Sequence, residues 1–172
     1  GTPTPIFVRA LAQKNAGCVH SGVLHSMFMH MPGFRVCSPM TPKEYEQAWD
    51  DFMCNDDPMY VSEHRSSFNS SRELKDSYEK ADVTLIPIST TRFNIAEAIE
   101  ILSKEGISCN VAHLMWLKPF KKDHILKALS NSKCGIVVDS DFEMAGAAQS
   151  IAYSLMWETG LPIKALGLHD SS

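Results

Sequence analysis

Apolar and polar positions alternate in blocks along the 172-residue chain. Short apolar runs rich in β-branched and aromatic residues predict strands, and apolar residues three or four apart predict helices. The predicted strands are Pro5–Leu11, Phe34–Pro39, Pro58–His64, Asp82–Thr90, Ser108–Leu117, Cys134–Ser140 and Pro162–Leu168. Because helices alternate with these strands, we expect an α/β fold of mainly parallel sheets in three layers, with helices on both faces.

Helix boundaries are marked by two capping signals. Thr41–Glu44 reads as a capping box with proline at the first helical position, and its helix carries an apolar face. That face is predicted to contain Tyr45, Ala48, Trp49, Phe52 and Met53. A second capping box is expected at Ser140–Glu143, before a helix that Gly160 ends.

One segment breaks the alternation. Arg65–Lys80 is rich in serine and charge and has little periodic apolar content, which is typical of a linker. We therefore expect a first domain over residues 1–65, a linker over 66–80 and a second domain over 81–172.

Composition removes several classes of partner. The net charge is −4 with no basic block, which argues against nucleic acid and anionic membrane as partners. No apolar run approaches the roughly 20 residues that span a bilayer. The five cysteines are scattered and form no Cys-x-x-Cys pair, so we interpret them as reduced thiols of a cytoplasmic or organellar protein, not as disulfides or zinc ligands.

The stretch Val19–Phe34 holds three histidines and three methionines. His20, His25 and His30 are five apart, so on a helix their side chains would point in three directions, and we expect no metal site. The residues Val23, Leu24, Met27, Phe28 and Met31 recur at helical spacing. We therefore interpret the methionines, Met27 among them, as core residues of a helix.

His20 differs from the other two histidines because it lies in a glycine-containing loop between a strand and that helix. Ligands of open α/β folds bind at the carboxyl ends of parallel strands. A helix N-terminus favours the neutral imidazole, which can accept a proton or donate a hydrogen bond. His20 is therefore our candidate catalytic residue.

Four acidic or histidine positions also invite a functional interpretation. Asp139 and Asp141 follow a strand, and we interpret them as caps of the next helix. Glu63 and His64 end another strand, and we expect them to be solvated.

The order of motifs resembles the transketolase-like family of thiamine diphosphate enzymes. The motifs are "PIFVRA", "VHS", "HMPGFRVCSP", "NDDPMYVSEHR", "DVTLIPIST", "ILSKEGISCNVAHLMWLKPF" and "GIVVDSDFEMAGAAQSIA". The closest likeness is to the beta subunit of the 2-oxo acid dehydrogenase decarboxylase component. Its pattern runs P-I-V-x-R, a glycine-rich loop, Q-H-S and H-x-P-G-L-K-V-V-x-P.

The resemblance implies an architecture and a role for His20. Residues 1–65 resemble the second half of a pyrimidine-binding domain, and residues 81–172 resemble a transketolase C-terminal domain. His20 matches the family's active-site histidine, which helps proton transfer or orients the acyl intermediate. His30 matches a histidine before a Pro-Gly turn, which we take as structural. Val19 and Gly22 depart from the family's glutamines, and "LAQKNAGC" replaces its glycine-rich loop.

The resemblance also implies thiamine diphosphate with magnesium, bound mainly by parts outside the matched region. The glutamate that activates the cofactor and the diphosphate-binding domain have no counterpart in this sequence. We therefore expect a fragment or a subunit of an enzyme acting on a 2-oxo acid or a ketose. Its expected partners are a second copy or a diphosphate-binding subunit, and an acyltransferase core.

Two other functions remain open. The chain could be a non-catalytic assembly or dimerisation module of the same family. A free-standing flavodoxin-like binding domain has less support, because no G-x-G-x-x-G loop follows any predicted strand.

Overall fold

The structure, a computed structural model, describes residues 4–14 and 21–169. Its elements in chain order are β1 (Phe7–Ala12), α1 (His25–Met29), β2 (Arg35–Cys37), α2 (Pro42–Met53), β3 (Met59–His64), β4 (Ala81–Pro87), α3 (Thr91–Lys104), β5 (Cys109–Val111), β6 (Trp116–Lys118), α4 (Asp123–Leu129), β7 (Ser132–Phe142), α5 (Ala147–Thr159) and β8 (Ile163–Leu168). A single 3-10 turn, Arg65–Ser67, follows β3.

These elements form two compact units, which are described separately. The first comprises Gly1–Glu73 together with Met115–Lys121, and the second comprises Leu74–Leu114 together with Lys122–Ser172. The domain limits expected from the sequence, at residues 65 and 81, stay a prediction.

The first unit contains a four-stranded sheet in the order β1-β3-β2-β6. Strands β1 and β2 both run parallel to β3, with Ala12 opposite His64 and Arg35 opposite Met59. Strand β6 runs antiparallel to β2. The carboxyl ends of the three parallel strands therefore lie at one edge of this sheet.

Helices cover both faces of the first sheet. On one face, Phe52 of α2 packs on Phe7 with ring centroids 4.9 Å apart, beside a buried cluster of Cys37, Ala48, Met59, Val61, Met115 and Trp116. On the other face, the Phe28 ring of α1 stacks on Tyr60 at 3.8 Å. Alternate residues of β3 therefore face α2 and α1, as the period of two along a strand requires.

The second unit contains a four-stranded, wholly parallel sheet in the order β5-β4-β7-β8. One face buries Val83, Leu85 and Val111 against Ile95 of α3. The opposite face packs on α4, where a Cβ added at Gly135 would lie 2.8 Å from the Leu129 side chain. Both units thus have the three-layer, mainly parallel α/β architecture that the alternation predicted.

The first capping prediction is confirmed. The Thr41 hydroxyl accepts the Glu44 backbone N–H at 3.3 Å, and Pro42 is the first residue of α2. The Glu44 carboxylate in turn accepts the Met40 N–H at 2.9 Å. Gly160 ends α5 in the left-handed region at φ +70°, as expected for a glycine after a helix.

Two element predictions are wrong. Ser108–Leu117 is not one strand: Cys109–Val111 pairs with β4, Leu114 bridges to Ile88, and Trp116–Lys118 pairs with β2 in the other sheet. A continuous apolar run cannot reveal this change of partner, because every segment of it is buried. Ser140–Glu143 is not a cap, because β7 continues through Phe142 and α5 begins only at Ala147, after Gly146.

Several residues predicted for the core are exposed. Helix α1 has only five residues, and 59% of Met27 remains accessible, with Leu24 and Met31 exposed beside it. On α2, Trp49 and Met53 are also exposed, whereas Ala48 is buried. Helical spacing predicts a shared face, but a one-and-a-half-turn helix covers too little of the sheet to bury one.

Within the described ranges, no helix is long and apolar enough to span a membrane.

Candidate functional site

The carboxyl ends of β1 and β3 lie side by side, with Ala12 opposite His64. From the end of β1 the chain continues into the segment that contains His20, the predicted catalytic residue. His20 lies outside the described residues, so its role stays a prediction. Its segment leaves β1 at Gln13 and Lys14 and re-enters the described part at Ser21, four residues before α1.

The carboxyl end of β3 is buried, which corrects the expectation that Glu63 and His64 are solvated. His64 Nδ1 accepts the Ser66 backbone N–H at 3.2 Å, an arrangement that needs a neutral ring with its proton on Nε2. Burial lowers the pKa of His64. Arg65 Nη1 donates to Gln13 Oε1, so the turn after β3 is tied to the start of the His20 segment.

A two-fold hydrogen-bonded ion pair joins the middle of β1 to β3. Arg9 Nε lies 2.7 Å from Glu63 Oε1, and Arg9 Nη2 lies 3.0 Å from Glu63 Oε2. The Glu63 side chain is 4% exposed and the Arg9 side chain 61%. The hydrogen bond to Glu63 and the negative charge of its carboxylate raise the pKa of Arg9. The buried carboxylate therefore fixes the orientation of an accessible guanidinium.

Arg9 lines an open cavity of about 330 Å³ whose other walls are Pro42, Tyr45, Ser67, Phe68 and Ser70. The Ser67 hydroxyl donates to the His64 carbonyl at 2.8 Å, so its single proton is used. The Tyr45 hydroxyl, 2.8 Å from Ser67 Oγ, is therefore the donor in that pair. Burial raises the pKa of Tyr45 to about 12, so this phenol is neutral near pH 7.

On the opposite face of the sheet, His25 is fully buried at the start of α1. Its Nδ1 lies 3.3 Å from Ser62 Oγ, and Ser38 Oγ donates to the Ser62 carbonyl at 3.1 Å. His30 follows α1 and is exposed. The two histidines of the Val19–Phe34 stretch that the structure describes, His25 and His30, thus lie in different surroundings.

Asp139 and Asp141 lie inside β7, before α5 begins at Ala147, and their expected role as caps of that helix stays a prediction. Both are buried in β7, where Asp139 Oδ1 accepts the Ser140 N–H at 2.7 Å and Asp141 Oδ1 accepts the Phe142 N–H at 2.8 Å. The carboxylates thus bond the backbone at the end of their own strand.

The sequence interpretation missed the cavity and its arginine. A signal was present, since Arg9 and Glu63 each interrupt an otherwise apolar run and a buried charge requires a partner. The cavity itself is assembled from β1, α2 and the segment after β3. Nothing in the local spacing of its six residues indicates that they meet.

The magnesium implied by the resemblance finds no cluster of side-chain ligands in the part of the chain that the structure describes. Among residues 4–14 and 21–169, no group of three or more His, Cys, Asp or Glu side chains could hold a metal ion.

Known relatives agree with this architecture. The chain is 26% identical over 163 residues to the acetoin:2,6-dichlorophenolindophenol oxidoreductase subunit beta of Cupriavidus necator, covering 87% of this chain and 48% of the relative. It is 27% identical to the pyruvate dehydrogenase E1 component subunit beta of Chlorokybus atmophyticus, covering 83% and 46%. It is also 27% identical to the 2-oxoisovalerate dehydrogenase subunit beta of Bacillus subtilis, covering 96% and 57%. The chain thus spans about half the length of these curated relatives.

A solved structure and a family model also match this chain. The structure described as a split gene transketolase, inactive beta4 tetramer, superposes with a TM-score of 0.76 at 19% identity, covering 95% of this chain and 57% of that one, which shows a shared fold. The family model for "Transketolase, C-terminal domain" matches residues 73–171. That range is more than half of the 172 residues. The chain therefore belongs to the transketolase C-terminal domain family.

Proposed function

We propose that this chain is part of a thiamine diphosphate-dependent enzyme that acts on a 2-oxo acid or a ketose, with His20 as an acid–base residue. The observation that carries the proposal is the match over most of the chain to proteins named as beta subunits of 2-oxo acid dehydrogenases. The cofactor supplies the carbanion chemistry of such enzymes when it is bound.

The geometry around the His20 segment supports the proposed role. The segment leaves the sheet at the carboxyl end of β1, the edge where open α/β sheets bind their ligands. The Arg65–Gln13 hydrogen bond tethers its first residues. Under this proposal, His20 would exchange a proton with a ligand bound at this edge.

The cofactor and its magnesium would be held mainly by residues outside this chain's described part. A diphosphate-binding subunit or a second copy would provide them, and an acyltransferase core is a further partner in this proposal. The location proposed is the cytoplasm, or the mitochondrial matrix or plastid in a eukaryote.

The test uses the complete natural protein assembled with its partner chain. Turnover of 2-oxo acids is measured by reduction of 2,6-dichlorophenolindophenol, and ketose turnover by ketol transfer. His20→Ala should lower turnover by about 10²–10⁴-fold, the usual effect of losing an acid–base group, with an unchanged unfolding temperature. His30→Ala, at an exposed histidine, is the matched control and should keep wild-type turnover. Wild-type turnover in His20→Ala would show that the role assigned to His20 is wrong.

A non-catalytic assembly module is the second candidate, and one surface favours it. Tyr153 and Trp157 lie one turn apart on α5, and Trp157 is 82% exposed. Exposed aromatic side chains are enriched where proteins associate. Under this proposal, sedimentation at micromolar concentration gives a dimer or larger species that Trp157→Ala dissociates. A 19.1 kDa species alone for the wild-type chain would contradict it.

A further inference from the structure

The guanidinium of Arg9 has two bonding edges, and Glu63 occupies only one of them. The side edge, formed by Nε and Nη2, donates to the two Glu63 oxygens at 2.7 and 3.0 Å. The end edge consists of Nη1 and the second N–H of Nη2, and it has no hydrogen-bond partner among the described residues. Two parallel N–H groups at fixed spacing match the two oxygens of a carboxylate.

The buried partner orients this edge in advance. Because the Glu63 side chain is almost completely buried and held by two bonds, the guanidinium plane is fixed before any ligand arrives. A ligand therefore loses less conformational entropy on binding than it would at a freely rotating arginine. A lysine in the same place would lack the planar fork.

Half of the six residues that line the cavity beside Arg9 present a ring to it. The Pro42 ring, the Tyr45 ring and the Phe68 ring form three of its six lining residues, and the Tyr45 and Phe68 ring centroids are 6.4 Å apart. Its volume of about 330 Å³ is at the small end of the usual range for small-molecule sites, roughly 300–1,000 Å³. The space therefore suits a short apolar group next to a charged one.

One more donor lies at the rim. Ser70 Oγ accepts the Arg72 backbone N–H at 3.2 Å, which leaves the hydroxyl proton of Ser70 to donate. The Tyr45 proton is directed to Ser67 and the Ser67 proton to the His64 carbonyl. The cavity can thus donate to an anion from Arg9 and Ser70.

The charge balance limits the ligand to a single negative charge. Among the described residues, Arg9 is the only cation that lines the cavity, and the Glu63 carboxylate next to it offsets much of its field. A dianion such as inorganic phosphate would bring a second charge without a second cation. We propose that the cavity binds a small monocarboxylate with an apolar tail, its carboxylate on the end edge of Arg9 and its tail between Pro42, Tyr45 and Phe68.

The proposal is independent of the enzymatic function proposed above, and it is tested on the 172-residue chain. The probe is 4-methylpentanoate, titrated while backbone amide resonances are followed by NMR. The comparison ligands are acetate, 4-methylpentanamide and inorganic phosphate. We expect saturable shifts confined to residues around Tyr45, Phe68 and Ser70, with an affinity for 4-methylpentanoate at least about tenfold above that for the other three.

Variants separate the two halves of the site. Arg9→Lys keeps a positive charge beside Glu63 but removes the fork, and it should weaken binding by about tenfold or more, the scale of a lost charge-assisted hydrogen bond. Phe68→Ser should weaken binding of 4-methylpentanoate while changing that of acetate little. Arg35→Lys is the matched control, because Arg35 forms the same two-bond pair with Asp51, at 2.8 and 2.8 Å, away from this cavity.

Four results would overturn the proposal. They are the absence of saturable shifts at the cavity, equal affinity for the amide and the acid, tighter binding of phosphate, and wild-type affinity in Arg9→Lys. If Arg9→Lys fails to fold, Phe68→Ser decides, and wild-type affinity in that variant would equally exclude the site.

Discussion

Arg9 and Glu63 connect two neighbouring strands, β1 and β3, through two hydrogen bonds of 2.7 and 3.0 Å. In the sequence these residues lie in two separate motifs, "PIFVRA" and "YVSEH", which become neighbours in the folded sheet. The carboxylate is buried and the guanidinium is accessible. Removing the arginine therefore leaves a buried charge without its donor, which lowers the stability of the folded protein.

Arg9→Ala should lower the free energy of unfolding by about 1–3 kcal/mol, since it leaves a buried Glu63 carboxylate without its donor. Solvent screening at the exposed arginine keeps the loss below that of a fully buried pair. Urea unfolding of the wild type and Arg9→Ala measures this loss in the free energy of unfolding. Lys133→Ala is the control, because it breaks an exposed ion pair with Asp82 and should cost less. Equal losses of unfolding free energy in Arg9→Ala and Lys133→Ala would show that the burial of Glu63 does not set the cost of losing its partner.

His25 is fully buried, whereas Met27, which its helical spacing predicts to be a core residue, is exposed. His25→Ala should destabilise by about 2–4 kcal/mol, because it empties a fully buried position and removes the contact with Ser62. Met27→Ala should change stability by less than about 0.5 kcal/mol, as most exposed substitutions do. Thermal unfolding of both variants checks this order, and a larger loss for Met27→Ala would place that methionine in a core after all.

His64 should make stability depend on pH. Burial lowers its pKa in the folded protein, so between the folded value and the unfolded value of about 6.5 the unfolded chain binds more protons. Its contribution to stability is therefore complete above about pH 7 and falls as the pH drops through 6.5. We expect the NMR titration midpoint of His64 below 6.5, and a shallower loss of stability toward acid pH in His64→Gln. Identical pH profiles for the wild type and His64→Gln would count against this assignment.

Gly146 is required by its surroundings, not by its backbone angles. An added Cβ would overlap the carbonyl oxygen of Phe142, so the turn before α5 would have to move. Gly146→Ala should therefore destabilise by about 1–3 kcal/mol, the usual cost of overpacking. Gly22→Ala is the matched control, since no atom of the described residues lies within 4 Å of its Cβ position. Similar unfolding temperatures for both variants would show that a Cβ at position 146 does not overlap the Phe142 carbonyl oxygen in the folded protein.

Local patterns predicted those elements whose signals are local. The Thr41 cap, the Gly160 stop and the strands β4, β7 and β8 all depend on residues a few positions apart, and the structure contains them. The same reasoning failed at Ser140–Glu143, where a sequence typical of a cap lies inside a strand. There, pairing of Phe142 with Leu168 of β8, together with the bond from the Glu143 N–H to the Leu168 carbonyl, outweighs the local preference.

The candidate site was predicted only in part for the same reason. The position of the His20 segment after a strand could be inferred from neighbouring residues. The cavity at Arg9 could not, because its walls come from positions 9, 42, 45, 67, 68 and 70, and only tertiary packing brings them together.

The return of Trp116–Lys118 to the first sheet means that this sheet is not encoded by one continuous stretch of sequence. During synthesis on the ribosome, β1, β2 and β3 would emerge well before β6. The edge of β2 that pairs with β6 would therefore stay unpaired until some fifty further residues, Arg65 to Met115, had been synthesised. The same interleaving affects proteolysis. A single cut between Arg65 and Lys80 would leave two fragments held together by the pairing of β2 with β6, so the nicked protein should migrate as one species on a native gel and separate only in denaturant.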